Sequence, residues 1–294
     1  MTVRSMLFVP GDSEKKLAKA AGTKADALIL DLEDAVAAER KPAARETVLA
    51  FLKAQPTPRK QKLWVRINPV DTPEAVADLD GIVAGAPNAI LLPKAGGGAD
   101  VEALDKLIAP REARAGLPSG AIKVFVVATE TGASIFGLGT YSKSTPRLAG
   151  LTWGAEDLSA AVGASSNSDE NGNLTHLYLL ARSLCLAASA AADVQAIDTV
   201  YTRIGDAEGL RRVCNDARRD GFRGKMAIHP DQVDIINAAF TPSDTEVAHA
   251  RKIVDLFAAN PGAGTLALEG RMLDRPHLTQ AERVLALHAE LKDR

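Results

Sequence analysis

Two apolar runs in the chain each end on a carboxylate: Lys123-Val-Phe-Val-Val-Ala-Thr-Glu130, and Leu148-Ala-Gly-Leu-Thr-Trp-Gly-Ala-Glu-Asp157. Buried parallel strands read as such runs, and an acid at the carboxyl end of one stands at the mouth of the fold, where chemistry is housed. Two acids so placed suit a hard divalent cation. Magnesium takes one or two carboxylates and fills its octahedron with water and substrate oxygens, which makes Glu130 and Asp157 candidate ligands. Each acid alone would read as a cap on the helix that follows. Their pairing on successive strands, with more acids upstream, favours the metal.

The upstream acids are Asp31-Leu-Glu33-Asp34, directly after Leu28-Ile-Leu30. They can hold the metal's water ligands or position a substrate from a second shell, or simply open a capped helix. Alternation along a strand end cannot send all three to one place, so one or two of them, Glu33 and Asp34 first, are expected at the mouth. Arg66 emerges from Leu63-Trp-Val-Arg-Ile-Asn, where burial without an anion is costly. A substrate carboxylate, a developing enolate oxygen, or the Asp31 to Asp34 cluster would each satisfy its fork. Lys94, in Leu91-Leu-Pro-Lys-Ala-Gly-Gly-Gly, is a Schiff-base candidate if desolvated, and a phosphate contact or a solvated lysine otherwise. His229 either lines the pocket or bonds backbone. The other histidines, His176, His249, His277 and His288, have no zinc-like spacing.

Elements that position these residues recur along the chain. Eight apolar or β-branched runs span Ser5 to Val9, Ala27 to Leu32, Leu63 to Ile67, Ala89 to Leu92, Val124 to Ala128, Leu148 to Trp153, Ala196 to Tyr201 and Lys225 to Ile228. Between them lie helix-like stretches such as Ala35 to Ala54, Val101 to Ala115, Leu174 to Ala192 and Asp206 to Arg219. This alternation predicts an α/β fold, a TIM (β/α)8 barrel, with the polar strand ends converging on one rim. Residues 1–240 are expected to form the barrel. Residues 241–294 form a C-terminal helical extension, with an N-cap in Thr241-Pro-Ser-Asp-Thr-Glu246 and a helix reaching Ala259. The polar stretch from Ser165 to Asn173 is a candidate mobile loop or a plain solvent loop.

Composition narrows the partners. A formal charge of -2 gives no global attraction for nucleic acid or an anionic membrane. The apolar fraction of 46% is that of a globular protein with a large core. Cys185 and Cys214 are far apart in helix-like segments, which argues for a reducing compartment and against a disulfide framework. With no signal-like start and no 18-residue apolar span, a cytoplasmic location is expected.

Taken together, the motifs resemble the citrate lyase beta-subunit-like (CitE-like) family of the HpcH/HpaI aldolase superfamily, which includes malyl-CoA and citramalyl-CoA lyases. The resemblance is carried by Arg4-Ser-Met-Leu-Phe-Val-Pro-Gly11, Ala27 to Val36, Val65-Arg-Ile-Asn68, Leu91-Leu-Pro-Lys94, Glu130-Thr131, Gly154-Ala-Glu-Asp-Leu158, Asp206 to Leu210, Gly221 to Lys225, Ile228-His-Pro230 and Gly270-Arg-Met-Leu-Asp274. It implies a TIM barrel, Mg2+ on Glu130 and Asp157, and a substrate-contacting Arg66. It further implies that Asp274 is an acid/base delivered to an adjacent subunit's site, and hence a homotrimer or a multiple of one. Departures occur at Val127-Ala-Thr129, Ser134-Ile-Phe136 and Leu268-Glu269. None removes a candidate ligand.

The expected reaction is reversible cleavage of a 3-hydroxyacyl-CoA thioester to acetyl-CoA, or a homologue, and a 2-oxo acid. Backbone N–H groups of Gly154, Ala155 and Glu156, at a helix start, are candidate partners of the oxo-acid carboxylate. Phe8, Lys15 and Lys16 in the first loop are candidate contacts for coenzyme A. Three rivals remain: a citrate lyase beta subunit working on an acyl-carrier-protein thioester, a Schiff-base aldolase using Lys94, and a barrel kept as a binding or assembly module.

Overall fold

The computed structural model describes residues 2–292. Eight parallel strands follow one another around a ring: β1 (Ser5–Pro10), β2 (Ala27–Asp31), β3 (Lys62–Arg66), β4 (Ala89–Leu92), β5 (Lys123–Val127), β6 (Leu148–Thr152), β7 (Gln195–Ile197) and β8 (Lys225–Ala227). β1 pairs with both β2 and β8, and the remaining seam closes through a parallel bridge between Asp198 and Lys225. This is the expected (β/α)8 barrel. β7 is shorter than the Ala196 to Tyr201 run: its ladder ends with that bridge, and Thr199 to Tyr201 peel away toward the rim.

The wall is formed by α1 (Glu14–Ala21), α2 (Lys41–Ala54), α3 (Pro73–Ile82), α4 (Gly98–Arg114), α5 (Gly132–Gly137), α6 (Glu156–Val162), α7 (His176–Ala191), α8 (Ala207–Asp220) and α9 (Val233–Ala239). α2 begins at Lys41 rather than Ala35, because a 3-10 turn at Ala38–Arg40 leads in and Pro42 suits only a helix's first turn. Leu28, Leu30, Val65 and Val126 point outward into the layer between sheet and helices. Met6, Ile29, Trp64, Phe125 and Val127 point inward, where the Trp64 and Phe125 rings stack at 3.8 Å. Such a pair adds roughly 0.5–1.5 kcal/mol beyond the area it buries.

The period of two carries this inward face up to the rim. Two residues beyond Met6, Ile29 and Trp64 stand Phe8, Asp31 and Arg66, and Asp31 is in register with Arg66 across the β2–β3 ladder. Arg66 and Asp31 therefore meet because the pleat and the register leave them no other place.

Beyond the barrel come α10 (Asp244–Ala259), an antiparallel hairpin of β9 (Thr265–Leu268) and β10 (Arg271–Asp274), and α11 (Arg275–Lys292). Ser243 and Glu246 form the expected capping box of α10. The extension is helical as expected, with a hairpin between its two helices: Glu269-Gly270 turns with both residues at positive φ, and Leu266, Leu268 and Leu273 alternate inward. These elements share an apolar cluster of their own, with Ile253, Phe257, Leu273 and Ala281 buried. Among the described residues no helix is long and apolar enough to cross a membrane.

Candidate active site at the carboxyl rim

A cavity of about 250 Å³ opens at the carboxyl ends of the strands, lined by Phe8, Asp31, Arg66, Val127, Glu130, Trp153 to Asp157, Thr199, Val200, Met226 and Ile228, among others. Glu130 follows β5 and is buried. Thr131 caps α5 behind it, so the helix start is satisfied by a threonine and the glutamate is left free to face the cavity. One carboxylate oxygen of Glu130 accepts the backbone N–H of Lys94 at 2.5 Å. Burial, reinforced by Asp157 and Glu33, pushes the Glu130 carboxyl up to about 8, against the pull of the Lys94 N–H and Arg66.

Gly154 lets the second acid approach. A Cβ there would stand 2.7 Å from the Glu130 Cγ, so only glycine allows the turn after β6 to lie against Glu130. The turn is pinned by the Gly154 N–H, which donates to Thr129 Oγ1 at 3.1 Å. Without substrate, that N–H is given to a side chain of the neighbouring strand end. Asp157, in the first turn of α6, is half-buried and lines the same cavity. Glu156 is exposed and accepts from Asn167 Nδ2 at 3.0 Å, tying the Ser165 to Asn173 segment to the rim.

Arg66 is committed on one side. Its Nε and Nη2 bond Asp31 at 2.8 and 2.5 Å, Nη1 reaches Glu33 at 2.8 Å and Asp34 at 3.9 Å, and the Phe8 ring covers its face at 4.9 Å. Burial opposes its charge, but Asp31, Glu33 and Glu130 more than offset it and hold the guanidinium protonated. All three acids of the Asp31 to Asp34 cluster thus converge on Arg66, contrary to the expectation that alternation would divide them. β2 ends at Asp31, and beyond it the chain turns, so strand alternation no longer governs Glu33 and Asp34. The ion pair with this cluster, one of the partners expected for the Arg66 fork, is fixed by the in-register position of Asp31 beside Arg66.

Lys94 binds the cluster to the two rim acids. Its ammonium lies 2.6 Å from Glu33, 3.3 Å from Asp34 and 3.8 Å from Asp157. Burial disfavours that charge, but Glu33, Asp34 and Asp157 raise its pKa and keep it protonated. Glu33 itself is raised, chiefly by burial, with Arg66 and Lys94 opposing.

Behind the cavity the Trp153 indole donates to Asp198 at 2.7 Å, and Asp198 also accepts from the buried Lys225 at 2.7 Å. His229 accepts the Asp231 N–H and caps the turn after β8, as its plainer reading held. Phe8 lines the cavity, whereas Lys15 and Lys16 are exposed on α1 and outside it. Asp274 ends β10, bonded to His277 at 2.5 Å, and does not line this chain's cavity.

The donor set fits a magnesium ion. Glu130 is buried with Asp157 on the same cavity and with Glu33 near it, and Arg66 only partly offsets that negative charge, so a divalent cation would balance it. Two carboxylates on one cavity, Glu130 and Asp157, suit an ion that fills the rest of its octahedron with water and substrate oxygens.

Comparison with known proteins follows the same lines. The sequence model described as HpcH/HpaI aldolase/citrate lyase matches residues 4–230. A (3S)-malyl-CoA thioesterase from Cereibacter sphaeroides is 34% identical over 285 residues, covering 96% of this chain and 93% of its own. The structure of CitE from Mycobacterium tuberculosis, in complex with magnesium, acetoacetate and coenzyme A, superposes with a TM-score of 0.79 at 34% identity over 98% of each chain. A citrate lyase beta subunit from the same organism, complexed with oxaloacetate and magnesium, gives 0.69 at 34% identity over 82% of this chain and 98% of that one. The ion expected from the two carboxylates is the ion those structures hold.

Proposed function

The chain belongs to the HpcH/HpaI aldolase/citrate lyase family, and we propose that within it the protein is a magnesium-dependent lyase of 3-hydroxyacyl-CoA thioesters such as malyl-CoA or citramalyl-CoA. The products are acetyl-CoA, or a homologue, and a 2-oxo acid. The observation that carries this reading is the convergence of Glu130, Asp157 and Arg66 on one cavity at the strand carboxyl ends.

Glu130 and Asp157 would hold Mg2+, which supplies Lewis-acid polarisation of the oxo acid's oxygens when bound. Arg66 keeps two N–H groups beyond those given to Asp31 and Glu33, and these face charge developing on the substrate oxygens. The hydroxyl gives up its proton as the bond between its carbon and the thioester's α-carbon breaks, so that carbon becomes the carbonyl of the oxo acid and the electron pair stays on the α-carbon as an enolate. The enolate carbon then takes a proton. Asp274 is the acid/base for that transfer, acting in a neighbouring subunit's cavity, which makes the active assembly a homotrimer or a multiple of it. Ala155 and Glu156 offer rim N–H groups to the oxo-acid carboxylate, Glu33 and Asp34 steady Arg66 and Lys94, and Phe8, Lys15 and Lys16 contact coenzyme A.

Schiff-base chemistry at Lys94 is disfavoured by its three acidic neighbours, since an amine held protonated is no nucleophile. The malyl-CoA thioesterase relative favours a second reading, hydrolysis of the thioester rather than carbon-carbon cleavage. A panel of malyl-, citramalyl- and citryl-CoA, with magnesium and with EDTA, tests the proposal by product. Acetyl-CoA with glyoxylate, pyruvate or oxaloacetate, from malyl-, citramalyl- or citryl-CoA respectively, supports the lyase, free CoA with the intact hydroxy acid supports the hydrolase, and turnover only on an acyl-carrier-protein thioester supports a citrate lyase subunit. Activity untouched by EDTA would overturn the metal reading.

A further inference from the structure

We propose that Lys94 is a tethered competitor of the divalent cation: its ammonium shares Asp157 with the metal and thereby sets how tightly, and how reversibly, the rim holds the ion. The inference rests on the reading of Glu130 and Asp157 as metal ligands.

Lys94 sits just past β4 with φ at 52°, a left-handed conformation that a lysine rarely adopts. That conformation has a specific result. The backbone N–H is turned onto Glu130 at 2.5 Å, while the side chain runs to Glu33, Asp34 and Asp157. One residue therefore touches both candidate ligands through different groups. The N–H supports Glu130 without adding net charge, whereas the ammonium places a full positive charge 3.8 Å from Asp157.

Arg66 is not an equivalent competitor, because its fork is committed to Asp31 and Glu33. Lys94 has somewhere to go. Its side chain is 32% exposed, and Glu33 at 2.6 Å and Asp34 at 3.3 Å hold it when Asp157 turns to a cation. Four acids, Asp31, Glu33, Asp34 and Asp157, pair with two cations, Arg66 and Lys94, beside the buried Glu130, so the cluster attracts further positive charge even with the lysine in place. Charges a few ångströms apart interact strongly at a partly buried rim, and like charges there weaken binding.

The test is Mn2+ titration of the full-length protein without substrate, by calorimetry and by electron paramagnetic resonance. Lys94→Gln keeps the backbone N–H on Glu130 and removes the charge. It should bind Mn2+ about tenfold more tightly or better, a change in Kd that matches one unit of altered charge at this range. Lys94→Arg keeps the charge and should stay within about twofold of the parent. Lys94→Met, a second neutral variant, carries the same expectation as Lys94→Gln. Unchanged or weaker Mn2+ binding in the neutral variants overturns the proposal and makes Lys94 a scaffold for the acids. Glu130→Gln separates the two readings: if it binds Mn2+ as well as the parent does, the ligand assignment beneath the proposal fails, whatever Lys94 does.

Discussion

Two charge clusters occupy opposite ends of the barrel and shift their glutamates in opposite directions. At the amino end, Arg147 grips Glu112 with both Nη atoms at 2.7 Å and also reaches Asp105, while the backbone N–H groups of Ile122 and Gly120 donate to Glu112 at 2.8 and 3.0 Å. Burial opposes the Glu112 charge, but Arg147 and those N–H groups outweigh it and hold the carboxyl low. At the carboxyl end, Glu33 and Glu130 are pushed up, since burial and neighbouring acids outweigh Arg66 and Lys94. The same residue types thus build a satisfied structural pair at one end and an acid-rich site that attracts a cation at the other. Position on the barrel accords with this: the strands' amino ends serve stability and their carboxyl ends serve chemistry.

The sharpest break of that contrast is Glu130→Gln. Magnesium-dependent turnover should fall by about 10³-fold or more, while the metal-free protein unfolds at the same temperature or higher. A mutant with parental turnover would remove the functional end from the comparison. Arg147→Met should do the reverse, costing about 3–5 kcal/mol of stability by stranding Glu112. Activity per folded molecule should persist at low temperature. Chemical denaturation beside initial rates checks both halves.

The two ends should also answer pH with opposite sign. The Glu130 carboxyl is raised from 4.5 to about 8, so in EDTA its contribution to stability is present below pH 4.5 and lost as pH climbs toward 8. Glu112 is lowered, so its contribution is present above 4.5 and lost as pH falls through its folded value. Denaturation midpoints in EDTA at pH 5 and pH 8 should therefore fall for the parent and fall less for Glu130→Gln; equal slopes would contradict the assignment. The smallest effect belongs to Lys15→Ala with Lys16→Ala. Both lysines are exposed, so the thioester KM should rise only a few-fold with kcat and metal binding unchanged. An unchanged KM would remove them from the coenzyme A contacts.

Much of this was legible in the linear chain, because the relevant signals are local. Apolar runs bounded by helix-like segments marked eight strands, and Glu130, Asp157 and Arg66 announced themselves as charged residues closing such runs. Less legible was anything set by a turn: Glu33 and Asp34 follow a chain that has left the strand, and the β9–β10 hairpin lies between the extension's two helices with no strand signal of its own. A carboxylate's burial and the partner of a lysine are likewise through-space facts. For Lys94 the alternatives of Schiff base, phosphate contact and solvated lysine are separated only by the barrel's closure, which brings residues at the ends of β2 and β6 to it across the rim.

By itself, then, the sequence determined the barrel, its order of strands, its family and the identity of the charged strand ends, since period and composition act over a few residues. Only the tertiary structure decided that Asp31 locks Arg66, that Asp198 and Lys225 close the ring, that the Gly154 N–H is already taken by Thr129, and that Lys94 stands between the acid cluster and Asp157. Those outcomes depend on register and curvature around the whole ring, which bring together residues up to about sixty positions apart.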